Sequence, residues 1–198
     1  MRVNRGQSLT AKTEGDKNSL LLNRMWAMPN AATFQIPPIA RLLARYTKVG
    51  EGWADHFAGN AKVAQFTNDL DPNTTALQHQ DALSFLRNFS TDSLCGGLWD
   101  PPYSPRQVSE VYRKVGGIVN KETTQSSFWA KLKDEWARVI QPDGYVITFG
   151  WNTNGVGQSR GFDLIEILIV AHGGWHNDTL VTVERKHRKL KDQEPSDD

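Results

Sequence analysis

The strongest chemical signal in this sequence is a run of four residues, Asp100, Pro101, Pro102 and Tyr103. The carboxylate of Asp100 can accept one N–H of an amino group, and the carbonyl of Pro101 can accept the other. The ring of Tyr103 can stack on a flat ligand that carries such an amine. The run is therefore a candidate site for holding the exocyclic amine of a nucleobase that has left its stack.

The residues before this run predict where it lies in the fold. Leu94, Gly97, Leu98 and Trp99 belong to an apolar stretch that is typical of a buried strand. Asp100 then stands at the carboxyl end of that strand, where open α/β sheets bind their ligands. This placement makes Asp100 the predicted catalytic residue.

Helices and strands alternate in the pattern of hydrophobic residues. Helices are predicted at about 39–46, 82–89, 104–114 and 128–140, and strands at 53–55, 63–67, near 77, 94–99, 145–149, 162–171 and 179–185. The last two strands are joined by a glycine-rich stretch, which favours an antiparallel hairpin. This order predicts an α/β fold with an open sheet that is mostly parallel and has an antiparallel C-terminal hairpin.

A glycine turn and two further acidic positions precede the run at Asp100. The turn reads Asp55, His56, Phe57, Ala58, Gly59, Asn60 and Ala61, and Asp69 and Asp81 follow it. Together with the terminal hairpin, this order resembles the S-adenosylmethionine-dependent adenine-N6 DNA methyltransferases, most closely the short phage and prophage adenine methylases. The resemblance covers about residues 33–186 and implies a Rossmann-like methyltransferase fold. His56 and Ala61 depart from the family pattern, which usually has proline and glycine there.

The resemblance assigns a set of residues to S-adenosylmethionine. They are Thr33, Phe34, Ile36, Asp55, Phe57, Gly59, Asp69, Asp81 and Ala82. Gly59 would let the backbone approach the methionine part of the cofactor. Asp69, or alternatively Asp71, would accept the ribose hydroxyls, and Asp81 would receive the adenine amine unless it is only a helix N-cap. Residues 33–36 would close over the cofactor or pack in the core.

The resemblance also implies direct in-line transfer of a methyl group to the N6 amine of an adenine flipped out of DNA. Asp100, Pro101, Pro102 and Tyr103 would be the catalytic residues, because two acceptors aimed at the amine hydrogens favour the nitrogen geometry of the transition state. Tyr103 and Trp175 would line the flipped base, although Trp175 also suits a brace for the hairpin loop. No metal is expected. The sequence has no Pro-Cys pair, which excludes covalent methylation of cytosine C5.

Length and composition favour one domain with ragged ends. The chain has 198 residues, a formal net charge of +1 and one cysteine, Cys95. A catalytic domain is expected at 28–187, with a flexible arm at 1–27 and a disordered tail at 188–198. The balanced charge neither indicates nor excludes nucleic acid. Because no internal disulfide is possible and no apolar run could cross a bilayer, we expect the cytoplasm of a bacterial or phage-infected cell.

The short spacing between the acidic positions predicts that covering helices are missing. A βαβ unit needs about thirty residues, whereas 59–69 and 69–81 leave room for one turn or less. We expect two covering helices to be shortened or absent, with the N-terminal arm or a second subunit covering that part of the sheet. No segment is long enough for a separate target-recognition region, so sequence specificity should be loose or supplied by a partner.

Two other functions remain open from the sequence. Methylation of cytosine N4 uses the same amine geometry, although aspartate at position 100 favours adenine. A non-catalytic accessory subunit of a methyltransferase complex would keep the fold, but it would have no need for the intact run at 100–103. RNA is a weaker alternative substrate, because nothing in the sequence resembles an RNA-binding module.

Overall fold

A single eight-stranded sheet organises the part of the chain that the computed structural model describes, namely residues 8–10, 20–101 and 126–188. Its strands are β1 (Ser8–Thr10), β2 (Leu21–Trp26), β3 (Trp53–Asp55), β4 (Phe66–Thr67), β5 (Leu94–Trp99), β6 (Ile140–Gly150), β7 (Phe162–Ala171) and β8 (Thr179–Lys186). Across the sheet they lie in the order β1-β2-β7-β8-β6-β5-β3-β4. The predicted strand at 63–67 is thus shorter than expected, and the one at 145–149 is longer.

Most strands of the sheet run in the same direction. β3 is parallel to both β4 and β5, β5 is parallel to β6, and β2 is parallel to β7. β8 runs antiparallel between β6 and β7, and the β7–β8 turn contains Gly173 and Gly174 at positive φ. These findings confirm the predicted fold class, an open Rossmann-like α/β sheet with an antiparallel C-terminal hairpin.

Helix α1 (Pro37–Tyr46) covers one face of the sheet. Pro37 and Pro38 occupy its first positions, where a missing backbone N–H costs nothing. Its buried side chains include Ile39 and Leu42, which join a core with residues of β5, β6, β7 and β8. The predicted helix at 39–46 is therefore confirmed, and it begins two residues earlier, at Pro37.

Helices α2 (Ala82–Arg87) and α3 (Ser126–Val139) cover the other face. Phe85 and Trp136 are fully buried there in a second core, beneath β3, β5 and β6. Trp136 lies directly over Gly97 of β5, where a Cβ atom would overlap the indole ring. This close approach explains why the strand carries a glycine at that position.

No helix occurs between β3 and α2 in the described chain, as the spacing of the acidic residues predicted. The weak strand expected near residue 77 is reduced to one isolated bridge between Asn68 and Gln78. Two backbone hydrogen bonds accompany the bridge: the N–H of Gln78 donates to the carbonyl of Thr67, and the N–H of Asp69 donates to the carbonyl of Gln78. The chain thus crosses this region as hydrogen-bonded loops instead of covering helices.

Strand β2 corrects the prediction of a flexible arm at 1–27. Leu21–Trp26 pairs with β7 along its whole length, and Ser8–Thr10 adds a short antiparallel partner outside it. The sequence of β2 does not show the alternation of apolar and polar residues that is typical of a strand. One face of β2 carries both an apolar residue, Leu22, and a charged residue, Arg24, and both are exposed. The strand lies at the opposite side of the sheet from β3 and β4, so it does not cover the region without helices.

Some sequence predictions fall on residues outside the described ranges. They are the helix at 104–114, residues 189–198 of the predicted tail, and most of residues 1–19. None of the described helices is long and apolar enough to cross a membrane.

The connection from β6 to β7 crosses the sheet as a loop held by one buried carboxylate. Glu184 of β8 is 4% exposed and accepts hydrogen bonds from the backbone N–H groups of Val156 (2.5 Å) and Gly157 (2.9 Å). Burial raises the pKa of Glu184, which the two N–H groups and Lys133 partly offset. Gly155 is in contact with the same carboxylate, where a Cβ atom would overlap it. Glu184 therefore fixes the position of the β6–β7 loop, which in a parallel sheet is usually done by a crossover helix.

A second buried carboxylate, Glu166 of β7, ties β2 and α1 to the sheet. Its side chain is 1% exposed and accepts from Arg45 (2.6 Å), the hydroxyl of Tyr46 (2.7 Å) and the amide of Asn23 (3.3 Å). Burial and the hydrogen bond to Glu166 raise the pKa of Tyr46, so its hydroxyl remains a donor at all ordinary pH values. The network joins three elements through one side chain.

Glu166→Ala should lower the free energy of unfolding by about 2 to 3 kcal/mol, because it leaves the half-buried donors of Asn23 and Tyr46 without their acceptor and removes the ion-pair partner of the exposed Arg45. Urea denaturation measures this change. The matched control, Glu51→Ala, removes an exposed carboxylate and should change the free energy by about 0.5 kcal/mol or less. Equal losses in the two variants would contradict the role of Glu166.

Candidate functional site

Three carboxylates meet where β3, β4 and β5 end. Asp55 is the last residue of β3, Asp100 directly follows β5, and Asp69 comes two residues after β4. β3 lies between the other two strands, with Asp55 opposite Thr67 on one side and Leu98 on the other. Both Asp69 and Asp100 raise the pKa of Asp55 by their charge. The structure thus brings together three of the acidic residues that the sequence singled out.

Asp55 is a buried acid with one oxygen free of hydrogen bonds. It is 1% exposed, its Oδ1 accepts from the backbone N–H of Phe57 at 3.1 Å, and its Oδ2 has no hydrogen-bond partner. Burial is the main cause that raises its pKa well above the ordinary value, and the charges of Asp100 and Asp69 add to it. Such an oxygen needs a proton or a cationic donor beside it.

The glycine turn after β3 adopts a conformation that favours glycine. Gly59 has φ +53°, and its backbone N–H donates to Oδ2 of Asp69 at 2.8 Å. Asp69 Oδ1 accepts from the backbone N–H of Asp71 at 2.9 Å. Each carboxylate oxygen keeps a further lone pair, so Asp69 can still accept hydroxyl donors. The hydrogen bond thus joins Gly59 and Asp69, and their contact with a cofactor stays a prediction.

Asn68 organises this part of the site, and its role was missed by the sequence analysis. The side chain is completely buried, and its Nδ2 donates to the carbonyls of His56 (3.3 Å) and Gln80 (2.9 Å). Its Oδ1 accepts from the backbone N–H of Gln80 at 2.9 Å. Asn68 therefore connects the glycine turn after Asp55 to the segment that leads into Asp81. The only signal in the sequence was a polar residue directly before Asp69.

Asp81 acts as the N-cap of α2. Its Oδ1 accepts from the backbone N–H groups of Leu83 and Ser84, both at 3.1 Å. Ala82 is 7% exposed and packs in the core with Phe85. The capping role that the sequence left open is thus observed, and contact of these residues with a cofactor stays a prediction.

The segment 33–36 lies at the same end of the sheet. Thr33–Gln35 forms a short 3-10 turn, and the ring of Phe34 is 5.0 Å from that of Phe149, near the carboxyl end of β6. Ile36 is 2% exposed and packs in the core beneath α1. Phe34 can therefore reach a ligand at the strand ends, whereas the side chain of Ile36 has the core-packing role that was the alternative.

The substrate half of the predicted site is described only in part. Asp100 and Pro101 are placed at the end of β5, while Pro102 and Tyr103 lie outside the described residues. Trp175, in the β7–β8 turn, is fully exposed. The alternative, an exposed loop tryptophan that braces the hairpin, stays open, and the contact of Trp175 with a flipped base stays a prediction.

A row of buried polar groups lies beneath Asp100 on the face covered by α3. Trp99 pairs with Thr148, Thr148 pairs with Thr182, and the ring of His56 is 5.9 Å from that of Trp99. The hydroxyls of both threonines and the indole N–H groups of Trp99 and Trp136 have no hydrogen-bond partner. Burial lowers the pKa of His56 to about 3, so this residue stays neutral.

Comparisons with known proteins give matches in fold alone. No protein-family model and no curated protein matches this chain. TrmN from Thermus thermophilus is 17% identical, with 76% of this chain and 49% of TrmN aligned at a TM-score of 0.47. The N-methyltransferase NodS from Bradyrhizobium japonicum WM9 is 10% identical, covering 78% of this chain and 99% of NodS at a TM-score of 0.48.

A third similar structure is a 1,6-didemethyltoxoflavin-N1-methyltransferase from Burkholderia thailandensis, solved with S-adenosylhomocysteine bound. It is 11% identical, and the alignment covers 68% of this chain and 70% of that protein at a TM-score of 0.45. The chain spans about half the length of TrmN. Identities this low say nothing about the substrate of this chain.

Asp55→Asn should stabilise the protein above about pH 5, and it should weaken the binding of any ligand that needs the carboxylate. Because burial raises the folded pKa of Asp55, its contribution to stability is complete below the unfolded pKa of about 4 and is lost as pH rises through the folded pKa. Thermal melts between pH 4 and 8 should therefore show a smaller loss with rising pH for the variant. Asp134→Asn removes an exposed carboxylate and should leave the profile unchanged. If the melting temperatures of wild type and Asp55→Asn changed with pH in parallel, this would contradict the raised pKa of Asp55.

Thr182→Val should raise the free energy of unfolding by about 1 kcal/mol, because it replaces a buried hydroxyl that has no partner with a methyl group of similar size. Thr179→Val is the matched control on the same strand. The Thr179 hydroxyl bonds to Nε2 of His172 at 2.9 Å, so its removal should cost about 1 kcal/mol. Chemical denaturation compares the two. An equal loss in both variants would show that Thr182 has a partner after all.

Proposed function

We propose that this chain transfers a methyl group from S-adenosylmethionine to the exocyclic N6 amine of adenine in DNA. The single observation that carries the proposal is the position of Asp100 and Pro101 at the end of β5, beside the buried Asp55 at the end of β3. The cytoplasm of a bacterial or phage-infected cell is the proposed compartment.

The acidic end of the sheet fits S-adenosylmethionine, which carries a positively charged sulfur and an ammonium group. Asp55 Oδ2 is a buried acceptor without a partner, and Asp69 and Asp100 add negative charge beside it. A cation bound there would relieve the mutual repulsion of the three carboxylates. Gly59 and Asp69 would hold the methionine part and the ribose, and Phe34 would cover the cofactor. When bound, the cofactor supplies a methyl group on a sulfonium sulfur.

Asp100 and Pro101 would prepare the nucleophile. The adenine amine is a poor nucleophile because its lone pair is delocalised into the ring, and it must become pyramidal as the new bond forms. A carboxylate and a carbonyl that accept its two N–H groups stabilise that geometry more than the planar ground state. Asp100 follows a strand with neighbours on both sides, so the chain holds its position rigidly. No covalent link to the protein is required.

Loose specificity, or specificity supplied by a partner, is part of the proposal. The described ranges 20–101 and 126–188 form the sheet and its helices, and in the proposal a few loop residues or a second subunit read the target sequence. A homodimer or a separate partner protein could also cover the region between β3 and α2 that lacks helices. We include DNA and a protein partner in the proposal on these grounds.

Asp100→Ala and Asp100→Asn should each lower methyl transfer about 100-fold or more, because each removes an acceptor that acts in the transition state. The measurement uses purified protein, labelled S-adenosylmethionine and unmethylated DNA, followed by nucleoside mass spectrometry for N6-methyladenine. Binding of S-adenosylhomocysteine, measured by calorimetry, should change by less than tenfold in both variants.

Asp143→Asn is the matched control. Asp143 lies near the amino end of β6, far from the carboxyl ends of the strands where the site lies, and asparagine accepts its φ of +64°. Its activity should equal that of the wild type. Formation of N4-methylcytosine without N6-methyladenine would establish the cytosine alternative instead. Equal activity of wild type and Asp100→Ala would remove Asp100 from the mechanism, and an inactive wild type that still binds cofactor would favour the accessory subunit.

A further inference from the structure

Two exposed tryptophans stand at the same end of the sheet as Asp100, on the side away from Asp55. Trp26 ends β2 and is 65% exposed, and Trp175 of the β7–β8 turn is fully exposed. Tryptophan is highly buried on average, and Trp53, Trp99 and Trp136 of this chain are buried, whereas Trp151, directly after β6, is exposed like the pair. Trp26 and Trp175 thus offer two flat apolar surfaces on which a ligand can stack.

The backbone around the two tryptophans is fixed by a buried histidine. His172 is 6% exposed, and its two ring nitrogens lie 2.9 Å from the carbonyl of Ala27 and from the hydroxyl of Thr179. It thereby joins the end of β2 to both strands of the hairpin. Gly173 sits close to the indole nitrogen of Trp26, where a Cβ atom would already be in tight contact at 3.4 Å. Trp26 and Trp175 therefore lie on neighbouring segments that His172 joins.

A cationic side chain accompanies the aromatic pair. Arg24 is exposed and lies on the same face of β2 as Trp26, because residues two apart in a strand point to the same side. The spacing of about 6.6 Å along the strand suits a phosphate beside a base that stacks on the indole. Aromatic stacking surfaces next to a cation are the usual means by which proteins bind a single nucleic-acid strand.

The distance from Asp100 decides which nucleotides could reach this surface. Three strand spacings separate β5 from β7 and four separate β5 from β2, which is about 14 to 19 Å. That length is too great for the target base held by Asp100, and it corresponds to a few nucleotides along the strand. Trp175 would then contact a neighbouring nucleotide instead of the target base.

We propose that Trp26 and Trp175, with Arg24, bind the bases and backbone of single-stranded DNA that flanks the target nucleotide. The inference rests on the proposed function and adds the form of the substrate, a single strand. A duplex keeps its bases stacked on one another and cannot offer their faces to the two indoles.

The test measures binding alone, without methyl transfer. A 5′-labelled single-stranded DNA 12-mer of mixed sequence is titrated with the full chain in the presence of S-adenosylhomocysteine, and its duplex is titrated in parallel, with fluorescence anisotropy as the readout. Wild type should bind the single strand at least tenfold more tightly than the duplex. Trp26→Ala and Trp175→Ala should each weaken single-strand binding about 5- to 100-fold, as expected for the loss of one stacked base.

One control variant and one charge variant separate the effect of stacking from those of general exposure and of charge. Leu20→Ala trims an exposed apolar side chain at the other end of β2 and should leave the affinity unchanged. Arg24→Gln should weaken binding and reduce the slope of log affinity against log salt by about 0.7, the value for one phosphate contact on a single strand.

Calorimetric binding of S-adenosylhomocysteine distinguishes failure of this inference from failure of the proposed function. Cofactor binding together with no single-strand binding, or with single-strand affinity that is unchanged in the Trp26→Ala Trp175→Ala double variant, would overturn the inference and leave the cofactor assignment standing. Equal or tighter binding of the duplex would overturn it as well. Absence of cofactor binding in wild type would instead count against the proposed function.

Discussion

The parallel pairing of β3 with its two neighbours is the constraint on which the site depends. It fixes Asp55 opposite Leu98, so that Asp100 stands one strand away and Asp69 lies on the other side. Three like charges are thereby held close together, and one of them is buried with an oxygen that has no partner. The fold cannot relax this repulsion by moving one acid, because each follows a strand fixed by its neighbours. Backbone N–H groups that donate to Asp55 and Asp69 offset part of it, and protonation or a bound cation relieves it further.

The chain builds this end of the sheet with few residues because side chains replace helices. Asn68 makes three hydrogen bonds that link the segments around residues 56 and 80, and Glu184 holds the β6–β7 loop by two backbone N–H groups. A covering helix would bury apolar surface, whereas these polar anchors gain little from burial and depend on every partner being present. We therefore expect the loops around the site to yield before the core does when the protein is stressed.

The sequence was a good guide to elements with a strong local pattern. The apolar run before Asp100, the amphipathic spacing of α1 and the glycine-rich turn of the hairpin each depend on residues close together in the chain, and all three are found in the structure. The acids were located by their place after strands, a rule that needs no knowledge of the register. The assignment of Asp81 to a cofactor was less secure, because an acidic residue that caps a helix shows the same local sequence pattern as one that binds a ligand.

The failures all concern interactions between distant parts of the chain. β2 looked like a polar arm, since its strand character comes from pairing with residues about 145 positions later and from the contact of Asn23 with Glu166. Neither Asn68 nor Glu184 belongs to a motif, and each acquires its role from backbone groups that the fold brings to it. The polar row under Asp100 was invisible as well, because His56, Trp99, Thr148 and Thr182 become neighbours only when the register of the strands is known.

The distribution of charge along the sheet edge also limits how a nucleic acid can approach. Asp69 and Asp100 lie at the ends of β4 and β5, and each carboxylate would repel a phosphate by about 0.4 kcal/mol at 10 Å in water, with larger values near the protein surface. In the proposed complex, a DNA strand would therefore avoid the ends of β3 and β4 and would lie over the ends of β6, β7 and β2. Arg24 and the exposed tryptophans lie on that side. In the proposed complex, the carboxylates would favour the cationic cofactor at one half of the edge, and the DNA would lie over the other half, on the side of β2.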